Sequence, residues 1–208
     1  MTAIINRKFR EWAKGKSAVE ARISIYEKIR DIPYAIVPEL ISSKRYVEIF
    51  KLGRGSCTPK HFLLSSMYER LGIMVLYAVY PFRWADVEID YPPKLRELAN
   101  SLPISNHLAC RVEIEGRLVL VDATVDLALG RLGLPVNSEW DGLSDTLLPI
   151  EPLGEEQLYH PYEAAYINVA IDDSHLAFYS ELNSWLEEVR KSPSPLPRQK
   201  RNTPCFVC

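Results

Sequence analysis

Cys57 lies in "LGRGSCTPKHFLLSSMYERLGI" (Leu52 to Ile73), between a short glycine-containing loop and a run with helical periodicity. A thiol at a helix N-terminus meets unpaired N–H groups and the positive end of the macrodipole, and both favour the thiolate. Gly53 and Gly55 allow a sharp turn ahead of the helix, and Pro59 suits its first turn. The cysteine's own backbone N–H would point toward an oxyanion formed beside the sulphur. Free cysteine is also commonly a small buried hydrophobe. Position alone leaves both roles open.

A thiolate nucleophile needs a base, and the base needs an orienting group. The histidines are His61, His107, His160 and His175. His61 follows Cys57 by one helical turn and is directed along the helix, away from a substrate above its end. His160, in a proline-rich loop, and His175, near a helix start, read as surface or capping residues. His107 opens a strand on the face opposite Leu108, Cys110, Val112 and Ile114. If Glu115-Gly116 is a two-residue turn, Ile114 pairs with Arg117. Counting back then sets His107 opposite Thr124, with Asp122 as its diagonal neighbour on the same face. A three-residue turn would put His107 and Asp122 on opposite faces. Asp122 follows "LVLV", where a carboxylate needs a partner. The same parity assigns Cys110 to packing.

The elements that must position these residues follow from periodicity. Residues 1–50 read as helical: Val19, Ile23, Tyr26 and Ile29 are at near-helical spacing, and Ser17 with Glu20 forms a capping-box signal. Pro33 and Pro38 interrupt, and "PELISSKRYVEIFKLG" suggests one more helix ending near Gly53. After Cys57, the stripe Leu64, Met67, Tyr68 and Leu71 predicts a helix stopped by Gly72. "IMVLYAVYPF" reads as a strand and "YPPKLRELAN" as a short helix. Loops and short strands fill 131–170, and a final helix starts near Asp172 or Asp173. Helices followed by strands, with little strict alternation, predict an α+β fold.

With Cys57, His107 and Asp122 in these contexts, the chain resembles the transglutaminase-like superfamily, a branch of the papain-like cysteine enzymes. The resemblance rests on "GRGSCTPKHFLLSSMYERLGI" for a nucleophile helix and "NHLACRVEIEGRLVLVDAT" for the His and Asp strands. It runs from about Leu52 to Thr124, with a possible extension to "WDG" at Trp140–Gly142. It implies a core in which the nucleophile helix packs on an antiparallel sheet, with Cys57 as nucleophile, His107 as base and Asp122 as orienting residue. The domain expectation is an N-terminal helical segment (1–50), a catalytic domain (51–190) and a Pro-rich basic tail (191–208). Thr58-Pro59, Ala109, Leu118 and Ala123 depart from side chains common in the family at those places.

The expected chemistry is acyl transfer through a thioester, with hydrolysis of an amide or peptide bond favoured. Transfer to an amine uses the same three residues, and a catalytically silent binding module is the alternative from another class. The expected partner is a peptide, a protein or a small amide or ester substrate, with no cofactor and no metal. "YPFRWADVEIDYPP" offers Tyr80, Phe82, Trp84 and Tyr91 as core or cleft wall, and Trp140 is a further wall candidate.

Composition is compatible with this. Net charge is −2 over 208 residues, which argues against a nucleic-acid partner. Four basic and no acidic residues lie from Lys191 onward, so the tail is basic and the body acidic. No stretch approaches the roughly 18 apolar residues of a membrane span, and no signal-peptide core opens the chain. The expectation is a cytoplasmic protein, in which Cys57, Cys110, Cys205 and Cys208 form no disulfide framework. The closing "CFVC" has the form of a prenylation or two-cysteine metal motif, but reads best as part of a solubilising tail.

Overall fold

Side-chain chemistry sets the boundaries of the two helices that open the chain, α1 (Thr2–Ala13) and α2 (Ala18–Arg30). At the start of α2 the Ser17 hydroxyl accepts the Glu20 N–H at 3.3 Å, and the Glu20 carboxylate accepts the Ser17 N–H at 2.9 Å. This reciprocal cap is the one the sequence signals. The computed structural model describes residues 2–166 and 171–192. Cys205, Cys208 and the remainder of the basic tail from 193 lie outside the described residues.

The single helix expected over "PELISSKRYVEIFKLG" does not form. The segment divides into 3-10 turns at Pro38–Leu40 and Tyr46–Glu48, then α3 (Ile49–Leu52), closed by Gly53 at φ +64°. Between the turns the Ser42 hydroxyl takes the Lys44 N–H at 3.2 Å, so a short polar side chain competes with helical bonding. Gly55 is not a turn residue. Its N–H donates to Pro33 O (3.1 Å) and its carbonyl accepts the Ala35 N–H (3.3 Å). A Cβ at Gly55 would come within 2.7 Å of Ile49 Cδ1, so close packing requires the glycine.

α4 (Cys57–Tyr68) follows, tightens into a 3-10 turn at Glu69–Leu71 and stops at Gly72. Nearly every residue of α4 is buried, including Lys60 and His61. Phe62, Leu63, Leu64, Met67 and Tyr68 join Leu108, Cys110, Val112 and Ile114 in the main core with Ile25, Tyr26 and Ile29 of α2. Burying each such side chain stabilises the fold by roughly 1.5–3 kcal/mol. That burial holds α4 against the sheet despite two polar residues in its first turns.

The sheet contains β1 (Val75–Phe82), β2 (Ser105–Ile114), β3 (Arg117–Val121) and β4 (Gln157–Tyr159), all antiparallel, in the order β3-β2-β1-β4. α5 (Pro93–Ser101) connects β1 to β2, and α6 (Asp173–Lys191) ends the described chain. Helices thus precede and follow an antiparallel sheet, and the class is α+β. A second apolar cluster lies beyond Phe82, where α5 and α6 pack Leu95, Phe178, Leu182 and Leu186. No helix among the described residues is long and apolar enough to cross a membrane.

The β2–β3 hairpin has the two-residue turn. Ile114 pairs with Arg117 and Cys110 with Val121. Glu115 (φ +52°) and Gly116 (φ +75°) are both left-handed, as a type I′ turn demands. Glu115 is a non-glycine residue in a strained conformation, and Gly116 carries its own without cost. Gly116→Val should therefore lower the unfolding free energy by about 1–2 kcal/mol. Glu115→Asn should raise it by a few tenths, because asparagine favours this conformation. Urea denaturation of both variants measures the difference.

Candidate active site

Cys57 is the first residue of α4 and is half-buried. Ser56 precedes it in extended backbone, and its hydroxyl does not cap the helix. The first-turn N–H groups therefore remain directed at whatever lies above the helix end. The nearest side chain along the helix is Thr58, whose Oγ1 lies 3.9 Å from Cys57 Sγ.

His107 comes from the first part of β2 and Asp122 from the residue that follows β3. Their side chains meet through His107 Nε2 and Asp122 Oδ2 at 2.5 Å, and both residues are 3% exposed. This is the diagonal contact that the two-residue turn predicts. Nε2 is engaged by Asp122, and His107 lines the same cleft wall as Cys57. The structure thus brings all three predicted residues together.

The electrostatics follow from burial and pairing. Burial opposes charge on Cys57, but the His107 hydrogen bond and charge, with help from the Leu108 N–H and Thr58, outweigh it and lower its pKa. Burial likewise opposes the His107 imidazolium, yet the Asp122 carboxylate and the Cys57 sulphur hold its pKa up at about 10. Asp122, whose burial would raise it, is lowered by His107, by His61 and by the Thr124 N–H. Each group thus favours the charged form of the other, thiolate beside imidazolium. A charged pair of this kind supplies a nucleophile and a general acid at neutral pH.

Residues that sequence reasoning did not assign hold this arrangement. Beyond Val121 the chain leaves the ladder while staying buried, so its backbone groups need new partners. Asp122 N–H donates to Thr146 Oγ1 (2.7 Å), and Asp122 O accepts the Tyr26 hydroxyl (3.1 Å). Ala123 N–H donates to His61 Nε2 (3.0 Å), Thr124 N–H to Asp122 Oδ1 (2.8 Å), and Thr124 O accepts Lys60 Nζ (2.7 Å). Lys60 also donates to Arg30 O at 2.9 Å.

His61 is a strut in this network. Its Nε2 accepts from an N–H, so Nδ1 carries the proton and donates to Cys57 O at 2.9 Å. The ring is therefore a neutral tautomer that ties the nucleophile's own carbonyl to the chain beside Asp122. Burial lowers its pKa to about 4, against the pull of Asp122. Burial also lowers Lys60 to about 7, although Asp126 and Asp122 favour its charge. The signal for both was the "KH" pair directly after Pro59, which reads as a polar helix face until the burial of α4 is known.

The remaining candidates separate. His160 is exposed and stacks on Tyr162, as a surface residue. His175 is a capping residue but not a surface one. It is 3% exposed, and Asp172 Oδ1 accepts its backbone N–H and lies 2.7 Å from its Nδ1. Cys110 is fully buried, with its thiol toward His61 O at 3.7 Å. Trp140 packs on Tyr26 and donates to Ser144 O (2.7 Å), so it belongs to the core and not to a cleft wall. Tyr80 turns to the sheet's other side and donates to Glu156 at 2.6 Å. Phe82 and Trp84 do both jobs, packing with α6 and lining the cleft onto which Cys57 and His107 open. That cleft encloses about 880 Å³ of empty space, its open mouth included. Among the described residues no group of three or more His, Cys, Asp or Glu is placed to hold a metal ion.

Comparison with protein-family models, with curated proteins and with solved structures gives no match to this chain.

Two outcomes follow from the site's charges. Cys57 should alkylate with iodoacetamide at pH 6 many times faster than free cysteine, whose pKa is about 8.5. His107→Ala removes the main influence that lowers the thiol's pKa and leaves burial opposed only by the Leu108 N–H and Thr58, so the midpoint of labelling should rise. Lys60 releases its proton near pH 7 when folded and near 10.4 when unfolded. In that window the unfolded chain binds more protons, so stability rises with pH. Denaturation at several pH values should show wild type gaining on Lys60→Met between about pH 7 and 10.

Proposed function

We propose that the protein is a cysteine-dependent acyl-transfer enzyme that hydrolyses an amide or ester through a thioester on Cys57. One observation carries the reading. A half-buried thiol at the start of α4 shares a cleft wall with His107, whose Nε2 is held at 2.5 Å by the buried Asp122. A structural cysteine needs none of this. The α+β class and the position of the thiol at a helix start support kinship with the transglutaminase-like enzymes.

The steps follow from the groups present. The Cys57 thiolate attacks the substrate carbonyl, a carbon–sulphur bond forms, and the carbonyl electron pair moves to oxygen. The Cys57 N–H at the helix start is the donor placed for that oxyanion. His107 passes its proton to the leaving amine or alcohol as the carbon–heteroatom bond breaks. Neutral His107 then takes a proton from water, whose oxygen attacks the thioester. The carbon–sulphur bond breaks, the acid leaves, and the thiolate and imidazolium are restored. Asp122 fixes the ring's orientation and favours its charged form throughout.

Hydrolysis is favoured over transfer to an amine by the cleft lining. Among the described residues no carboxylate faces the cleft to hold an ammonium group, because Asp122 is committed to His107 and Thr124. A silent binding module would not need a charged thiolate–imidazolium pair.

Incubation with a mixed ester and peptide library should yield a covalent adduct, located on Cys57 by mass spectrometry, that decays with release of acid. Cys57→Ala should abolish both adduct and turnover. Asp122→Asn should lower kcat/KM by about 10²- to 10⁴-fold while the protein stays folded. Full turnover in Cys57→Ala would overturn the assignment.

A further inference from the structure

The cleft beside Cys57 has an unusual lining for a site that handles peptides. Its walls come from β1, β2, α6 and the segment 34–41, and they present Ile36, Phe82, Trp84, Val125, Leu182 and Leu186. Among the described residues no Asp, Glu, Lys or Arg lines it, and the one ionisable pair on its wall is Cys57 with His107. A charged substrate side chain would lose its hydration there with no counter-charge in return.

Apart from the Asn106 amide, the neutral polar side chains of the lining carry hydroxyls. Ser105 and Thr124, 6% and 4% exposed, are among the lining residues, but their Oγ and Oγ1 atoms are shut off from solvent. Tyr34 and Tyr179 add phenols to the same lining. Burial and the neighbouring Cys57 charge raise both, Tyr179 to about 12, so both remain protonated donors. A neutral hydrogen-bonding function suits this set, and an ion does not.

Shape points the same way. An extended peptide is recognised along a free strand edge or an open groove, through main-chain hydrogen bonds. Here the walls are side chains of the second apolar cluster, closing around a cavity of about 90 Å³ that has room for a small acyl chain and not for a length of peptide.

We infer that Cys57 takes its acyl group from a neutral small molecule whose aliphatic or aromatic acyl chain fills this cleft, with a hydrogen-bonding function on the Tyr34 and Tyr179 phenols. The inference rests on the acyl-transfer reading above and adds the substrate class.

The test uses the full chain and p-nitrophenyl esters of acetic, butyric, hexanoic and phenylacetic acids, together with the anionic mono-ester of succinic acid. Attack by Cys57 releases p-nitrophenolate and leaves the acyl group on sulphur, so release and adduct mass are both read. The expected result is a rise in kcat/KM of at least tenfold from acetate to hexanoate, with the succinyl ester below acetate. Ile150→Lys sets a cation in the cleft wall and should raise the succinyl-to-butyrate ratio at least fivefold. Should that variant fail to fold, the wild-type ranking decides by itself. Adducts on Cys57 with a flat ranking, or with the succinyl ester fastest, would overturn the substrate class and leave the acyl-transfer reading intact. No Cys57 adduct with any ester would overturn both.

Discussion

The contact between His107 and Asp122 depends on a single choice of register. Both residues lie at the end of the β2–β3 ladder, far from the turn in space, yet the turn decides whether they meet. Side chains alternate along a strand, so one residue more or less at Glu115-Gly116 would send Asp122 to the opposite face. The register is held from two directions. The left-handed pair at the turn fixes the loop length, and Leu108, Cys110, Val112 and Ile114 would all lose their place in the core if the strand slipped. The His107–Asp122 contact and hydrophobic burial therefore select the same pairing, and neither can change without the other.

A second constraint is that the Asp122 backbone must survive outside the sheet. Residues 122–124 are buried but no longer paired to a strand, and unmet backbone groups there would each cost about 1–3 kcal/mol. Tyr26, His61, Lys60 and Thr146 meet five of these needs, counting the Asp122 carboxylate itself. Two of those side chains come from the first turns of α4, directly after Cys57. The helix that presents the thiol is thus the helix that steadies the carboxylate segment, and His61 bonds to Cys57 O and Ala123 N–H at once. Buried polar residues in the first turns of a packed helix are costly in isolation. Here each completes another group's hydrogen bond.

What was legible in the sequence was local and periodic. The Ser17–Glu20 cap, the Gly72 stop, the hairpin and its parity depend on residues near one another, and the parity carried His107 and Asp122 into contact. Three things were not legible. The helix expected over 38–53 gave way to short turns because Ser42 bonds locally, an effect that periodicity does not register. Lys60 and His61 resemble a solvated helix face, and only long-range packing shows that α4 has almost none. The aromatic run from Tyr80 to Tyr91 was divided by sheet facing. Tyr80 goes to the far side with Glu156, while Phe82 and Trp84 turn to the cleft.

The cleft itself depends on contacts between chain ends that no motif announces. Asn183 of α6 makes a paired hydrogen bond with Ile36, through its side-chain oxygen and nitrogen, both at 2.8 Å. Asp126 accepts the Tyr34 N–H and the Arg190 guanidinium, each at 2.7 Å, and Arg190 also donates to Tyr34 O at 2.8 Å. These clamps join the segment that carries Tyr34 and Ile36 to the helix that carries Tyr179, Leu182 and Leu186. The polar atoms are spent on each other behind the walls, which leaves the walls apolar toward Cys57. Charge on Cys57 and His107 beside such walls is poorly screened, so each group acts strongly on the other. The same lack of screening keeps the two charges dependent on each other and on Asp122.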